Sequence, residues 1–360
     1  MSFTRLDPTD FVVSSDSMSF TRLDPTDFVV SSDSVTAPAW SNNVTTLTSF
    51  YTASASSTGS YYIDVYNAPI TATTSSVQFS IAYGRSNGSG SAPLNTLVPQ
   101  NTPTRINFGQ YRNLIYGDAE SNVNFGPGNT ASIDLIALPI DRNRYKESLF
   151  PGTWNLYLSG SQGLVKLTDN SNDVTTVTYV DGGRVYYIVS GSNGTAASTP
   201  LITGASQRGF TPSGSYGLFL PDIGLFVLNP LALMLTGSGG GIGLVIASGS
   251  TNGDASTNTT NIVSSIIQGA NFQLNSQETI SSDYVFVRVK NQDYNYTTNP
   301  SFITGSGTLI YSNFINSPQT FPTTVGLYND NNELLAVAKM SKPLTKDFTK
   351  EALIRVKLDW

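Results

Sequence analysis

The sequence predicts an all-β fold: antiparallel β-sandwich or barrel domains, an extended N-terminal arm, and one or two short helices. Three observations carry this. The 18 Tyr and 18 Phe dominate the aromatic residues, and such side chains suit pleated, half-buried sheet surfaces. Short stretches alternate apolar and polar residues, the period of a strand with one buried face. Clusters of Gly, Asn, Pro and Ser punctuate those stretches at turn spacing, which argues for antiparallel sandwiches or barrels.

The N-terminus repeats itself: MSFTRLDPTDFVVSSDS occupies residues 1–17 and recurs letter for letter at 18–34. Two copies without drift point to a recent duplication, with Met18 the working start and residues 1–17 an extra copy. A solenoid would need further repeats, and none follow. The second copy continues through VTAPAW, where Pro25 and Pro38 favour an extended path and Leu23, Phe28, Val29, Val30 and Trp40 offer apolar anchors. Such an arm either clamps a neighbouring subunit or forms an edge strand of its own domain.

Strands follow in order. SYYIDVYNAPI (60–70) and SVQFSIAYG (76–84) read as a hairpin, with Val77, Phe79, Ile81 and Tyr83 on one face. ASIDLIALPI reads as a further strand, and DRNRYKESL (141–149) as a short polar helix stopped by Pro151 and Gly152. GTWNLYLSG, VTTVTYVDGG and RVYYIVSGS are strands, the last two joined at Asp181-Gly182-Gly183. SYGLFLPDIGLFVLNP gives two buried strands broken at Pro221-Asp222, and TGSGGGIGLVIASG a glycine-rich turn returning into a strand. Residues 259–270 are the best helix, with Ile262, Val263, Ile266 and Ile267 on one face. DYVFVRVKNQDYNYTTNPSFI (283–303) opens with clean alternation, in which Tyr284 and Phe286 alternate as a core face would, and ends in polar, turn-rich residues. The C-terminus predicts a hairpin around Asn329-Asp330-Asn331-Asn332 and a final strand, ALIRVKLDW, paired with it.

At 38.5 kDa the chain exceeds the size at which a single core usually stops growing. The expected division is an arm at 1–34, a first β domain at 35–150 and a second at 151–360, with the boundary near Pro151-Gly152.

Composition narrows the chemistry. The chain has no histidine and no cysteine, which excludes Ser-His-Asp and Cys-His triads, disulfides and thiol redox work. A net charge of −6 and a pI near 4.7 oppose direct nucleic-acid binding. The basic C-terminal positions, Lys339, Lys342, Lys346, Lys350, Arg355 and Lys357, are interleaved with Asp347, Glu351 and Asp359 and read as a solvated face or subunit contact. No secretory signal is expected, and the longest apolar run, 223–235, is too short for a membrane span and contains Pro230. No membrane insertion is expected. Zero cysteines fit a cytosolic protein or a particle assembled in the cytoplasm.

Candidate motifs resolve to structural readings. GSGGGIG (237–243) lacks the Lys-Ser/Thr of a phosphate loop and reads as a hairpin turn. Asp169-Asn170-Ser171-Asn172-Asp173 begins like a calcium loop but lacks the central glycine and closing glutamate, so a self-capped polar turn is preferred. Carboxylate pairs remain the one catalytic option, but Asp118, Glu120, Asp134, Asp141, Asp222, Glu278 and Asp283 are scattered. Tyr284, Phe286, Tyr294, Tyr296 and Phe302 could line a sugar-binding surface, with cross-strand packing the preferred reading. No catalytic residue, cofactor or metal site is expected.

Whole phrases go further than composition. SFTRLDPTDFVVSSDSVTAPAWS, NRYKESLFPGTWNL, LTDNSNDVTTVTYVDGGRVYYIVSGSNG, SYGLFLPDIG, NYTTNPSFITGSG and the closing TVGLYNDNNELLAVAKMSKPLTKDFTKEALIRVKLDW resemble virion structural proteins of contractile-tailed bacteriophages, particularly marine cyanophages. The resemblance runs from Met18 nearly to the end and includes one opening arm where this chain has two. It implies a non-enzymatic virion component of the neck, tail or baseplate, whose partners are copies of itself and other virion proteins. The expected subunit contacts are Leu23, Phe28, Val29, Val30 and Trp40 in the arm and Leu327, Tyr328, Leu334 and Leu335 in the C-terminal hairpin. The alternatives are a host-recognition protein that binds or cleaves surface glycans and a capsid-decorating protein. Host-recognition spikes usually show a β-helical repeat or a fibrous stalk, and neither is present.

Overall fold

The computed structural model describes residues 28–52, 62–94, 97, 101–126, 131–197, 207–248, 250–295 and 300–359. The chain is mostly β, as expected. It divides into a larger unit, Val35–Glu278, and a smaller one formed from Met1–Ser34 and Thr279–Trp360. The boundary expected near Pro151-Gly152 falls inside the larger unit. Strand pairing explains why: Asp134–Pro139 bonds to Leu225–Leu228, and Ser148 and Leu149 bond to Gln277 and Ser276, so strands before Pro151 pair with strands after it.

The larger unit is built on one antiparallel sheet. From one end its order is Thr46–Leu47, Phe272–Gln273, Asn155–Gly160, Gly163–Asp169, Gly183–Ser192, Gly217–Leu220, Leu225–Leu228, Asp134–Pro139, Val77–Arg85, Tyr62–Tyr66 and Tyr51–Thr52. The two end strands are separated in the chain only by residues 48–50, so the sheet curls round toward closure, the barrel solution to exposed edges.

Both faces of its central strands are covered, and that explains their unbroken apolar runs. In Asp134–Pro139, Ile136 and Leu138 point into the curl while Leu135 and Ala137 point outward. Phe219, Phe226 and Leu228 point in; Leu218, Leu220, Leu225 and Val227 point out. Inside, aromatic rings meet across the curl: Phe272 lies 5.5 Å from Phe79 and 5.7 Å from Phe226, and Trp154 lies 4.8 Å from Phe226. The helix Asp254–Gly269 plugs the interior, touching both Asn155–Gly160 and Val77–Arg85. Its Ile262, Val263 and Ile266 are buried as expected, but Ile267 is 46% exposed. The helix starts earlier than expected and also buries Ala255, Asn258 and Thr259.

The outer face is covered by a helix that the apolar period does not reveal, Pro103–Tyr116. Thr102 caps it, its hydroxyl accepting from Arg105 N at 3.3 Å; Pro103 opens it and Gly117, at φ 66°, ends it. Its buried stripe is Phe108, Arg112 and Ile115, with an arginine in the middle. Arg112 is held by its Nε donating to Ser121 O at 2.8 Å. Close approach to the sheet depends on Gly84, where a Cβ would lie 2.7 Å from Phe108 N.

Other expected elements differ. Residues 141–149 form a 3-10 turn at Arg142–Arg144 and a two-residue strand, Ser148–Leu149, instead of a helix; Asp141 accepts from Asn143 N at 2.8 Å and so closes a local turn. The glycine run after 236 does not return as a strand. It follows a short helix, Pro230–Met234, and folds back along that helix, with Ile242 N donating to Leu233 O and Gly243 N to Leu235 O. A Cβ at Gly241 would meet Leu235 O at 2.1 Å, so these glycines serve a close backbone crossing.

In the smaller unit the sheet order is Phe28–Pro38, Asn275–Val289, Ala352–Asp359. The final strand bonds to Asn275–Val289, from Ser282 opposite Asp359 to Val289 opposite Ala352, and not to the hairpin as expected. The hairpin Thr324–Tyr328 with Leu334–Lys339 instead packs its face against the sheet. Val285, Leu327 and Val356 form the buried centre, flanked by Val287, Val325, Ala336, Ala338, Ile354 and Leu358. The core face of the central strand is therefore Val285 and Val287, the opposite parity to Tyr284 and Phe286.

Candidate interaction surface

The arm residues fall into three groups. Leu23 and the Phe28 side chain lie outside the described residues. Val29 and Val30 are 48% and 40% exposed on a strand at the edge of the smaller unit's sheet. Trp40 belongs to the larger unit and is buried at its centre. Its indole N–H donates to Phe272 O at 2.8 Å, and its ring meets Phe272 at 4.9 Å and Phe79 at 6.0 Å. Trp40 is thus a core residue and not an exposed contact, because its apolar surface and its one donor are both satisfied within its own unit.

The hairpin residues separate by face. Leu327 is 3% exposed in the small core and Tyr328 is half-buried, whereas Leu334 and Leu335 are 53% and 40% exposed. Val337, on the outward side of the same strand, is 58% exposed. The turn itself is rigid: Asn329 Oδ1 accepts from Asn331 N at 3.0 Å and from Glu333 N at 2.8 Å. Around the hairpin's parent unit, Ile310, Tyr311, Ile315, Phe321, Phe348 and Leu353 are also exposed. Phe302 organises part of this set, meeting Tyr311 at 5.3 Å and Phe314 at 5.9 Å.

The segment bearing these residues is pinned by a buried lysine. Lys346 is fully buried, and its ammonium donates to Asn291 O at 2.8 Å, Asn295 Oδ1 at 3.0 Å and Asp347 O at 3.0 Å. Three N–H groups meet three oxygens, which is what a buried ammonium requires. Thr320 and Lys346 also exchange backbone hydrogen bonds at 2.9 Å, and the Thr320 hydroxyl donates to Tyr294 O. Three other C-terminal basic side chains are engaged too: Lys350 pairs with Asp347, Lys357 with Asp359, and Arg355 lies over the Tyr284 ring.

The acidic residues singled out in the sequence are dispersed. Asp134 accepts from the Tyr83 hydroxyl at 2.7 Å and from Arg85; burial pushes the Tyr83 hydroxyl and the Asp134 carboxyl up. Asp222 binds the Arg184 guanidinium at 2.6 Å and accepts from Arg184 N. The stretch 169–173 is a capped turn: Asp169 accepts from Gly152 N and Ser171 N, Asn170 from Tyr187 N, and Asp173 from Ala196 N. Among the described residues no group of three acidic side chains is placed to hold a metal, and no helix is long and apolar enough to cross a membrane.

Comparison with protein-family models, with curated proteins and with solved structures found no match to this chain.

Proposed function

We propose that this chain is a non-enzymatic assembly protein, a structural component of a contractile-tailed phage virion in its neck, tail or baseplate. It engages copies of itself and other virion proteins through the smaller unit. The observation that carries this reading is an imbalance within that unit: among the described residues three apolar side chains are buried at its centre, while Leu334, Leu335 and Val337 on the hairpin and Ile315, Phe321 and Leu353 elsewhere stay at least 40% exposed. A core that small gives little stability alone, and exposed apolar clusters of this kind mark contact surfaces. The two strands that end the pairing order of its sheet, Phe28–Pro38 and Ala352–Asp359, leave edges at which a neighbour's strand can add. The virion assignment draws on the sequence resemblance.

The test is the mass of the purified 38.5 kDa chain by sedimentation or light scattering, compared with the variant Leu335→Glu/Val337→Glu. The reading expects a defined oligomer that the two charges disperse; a wild-type monomer that also fails to join purified particles opposes it.

A further inference from the structure

The outer face of the larger unit's sheet is covered by the helix Pro103–Tyr116 only up to Gly117. Beyond that end the sheet is open, and a cavity of about 300 Å³ lies there. Its floor is Leu218 together with Val180 and Val185, continuous with the apolar layer beneath the helix. Tyr116 and Tyr187 form aromatic walls; Arg112 covers one face of the Tyr116 ring at 3.9 Å, and Phe210 meets Tyr187 edge-on at 5.5 Å, so both rings are fixed.

The polar lining is uncharged and largely uncommitted. Asn170 is 7% exposed, and its Oδ1 accepts from Tyr187 N at 3.0 Å. That bond fixes the amide's orientation and leaves Nδ2 without a protein partner among the described residues. The hydroxyls of Thr178 and Tyr187 and the Gln207 side-chain amide line the same space, also without protein partners.

We propose that this cavity binds a single uncharged sugar ring, as a free glycoside or as one residue of a neutral glycan. A charged ligand would enter a site with no charged lining residue and lose its hydration uncompensated. A purely apolar ligand would strip water from the Asn170 amide and the hydroxyls without replacing their hydrogen bonds. A pyranose offers what both sets of groups require: a C–H face for the tyrosine rings and hydroxyls for the amides and threonine. The volume lies at the lower end of small-molecule sites, which suits one ring and not an oligosaccharide chain. The site lies in the larger unit, apart from the surface proposed for assembly.

The test is saturation-transfer NMR on the full-length chain with the methyl glycosides of glucose, galactose, mannose and N-acetylglucosamine at millimolar concentration, with glucuronate as the charged comparison. The proposal expects transfer to the ring protons of at least one neutral glycoside and binding of glucuronate at least tenfold weaker. Asn170→Asp keeps the acceptor for Tyr187 N–H and removes the free donor; Thr178→Val alters an exposed rim position. Each should weaken binding at least tenfold while the melting temperature of Thr178→Val stays at the wild-type value. Absence of transfer from all four glycosides, or transfer unchanged in both variants, overturns the proposal.

Discussion

Lys346 donates to Asn295 Oδ1 at 3.0 Å from a site with no solvent exposure. With Asn291 O and Asp347 O as its other acceptors, this ammonium joins the segment after the central strand to the segment before the last one. Replacing it by methionine keeps the stem but leaves three oxygens without their donor. A buried unsatisfied acceptor costs on the order of 1–3 kcal/mol, so Lys346→Met should destabilise the smaller unit by about 3 kcal/mol. Hydrogen exchange should show lost protection at Thr320 and Lys346, whose amides bond to each other's carbonyls, with the larger unit unchanged. Protection equal to wild type at those two amides would refute this role.

Trp40 makes the opposite case. Because it is 2% exposed and packed on Phe272 and Phe79, Trp40→Ala should cost the larger unit about 3–5 kcal/mol. Trp40→Phe retains most of the packing and loses the bond to Phe272 O, for a cost of about 1–2 kcal/mol. Neither should lower the oligomeric mass of protein that remains folded. A fall in mass without a loss of stability would return Trp40 to the contact surface.

Gly84→Ala should loosen the covering helix. The added methyl would sit 2.7 Å from Phe108 N and 2.8 Å from Phe108 Cα, and backbone on both sides leaves no flexible atom to yield. The expected cost is about 1–3 kcal/mol, read in denaturant unfolding, together with faster exchange in residues 103–116.

Acid should act first on the smaller unit. The Thr349 hydroxyl and amide hold the Asp347 carboxyl below its ordinary value, and the Ser282 hydroxyl and Lys357 hold Asp359 below its own. A depressed folded-state value means that the stabilisation is complete above the unfolded value and is lost as pH falls through the folded one. In the larger unit Asp118 moves the same way, whereas burial pushes Asp134 and Asp169 up, so those two favour the folded state as they take up protons. Thermal unfolding at neutral pH and at about pH 3 should show the smaller unit losing more stability than the larger. Equal losses would contradict the assignment.

The sequence made strands legible where one face is buried: Phe79, Ile81 and Tyr83 alternate, and their hairpin with Tyr62–Tyr66 forms, with one register shift between Val65 and Tyr66. It also showed the paired runs around Pro221, because four consecutive buried residues on each side need both faces covered. The helix Pro103–Tyr116 stayed hidden because Arg112 sits in its buried stripe, although Thr102-Pro103 and Gly117 are start and stop signals that could have revealed it. Parity misled at Tyr284 and Phe286: periodicity tells which residues share a face but not which face meets the core. The cavity at Asn170 was out of reach, since Tyr116, Asn170, Thr178, Tyr187 and Gln207 come from separate elements that only the curled sheet brings together.

The central claim is that the hairpin face of the smaller unit is a subunit contact in an assembled particle. A cryo-electron microscopy map of purified virions, traced to the side chains of residues 324–339, tests it most directly. The account predicts this chain in the neck, tail or baseplate with Leu334, Leu335 and Val337 covered by a neighbouring subunit. A particle that lacks the chain, or one in which those three side chains face solvent, would contradict it.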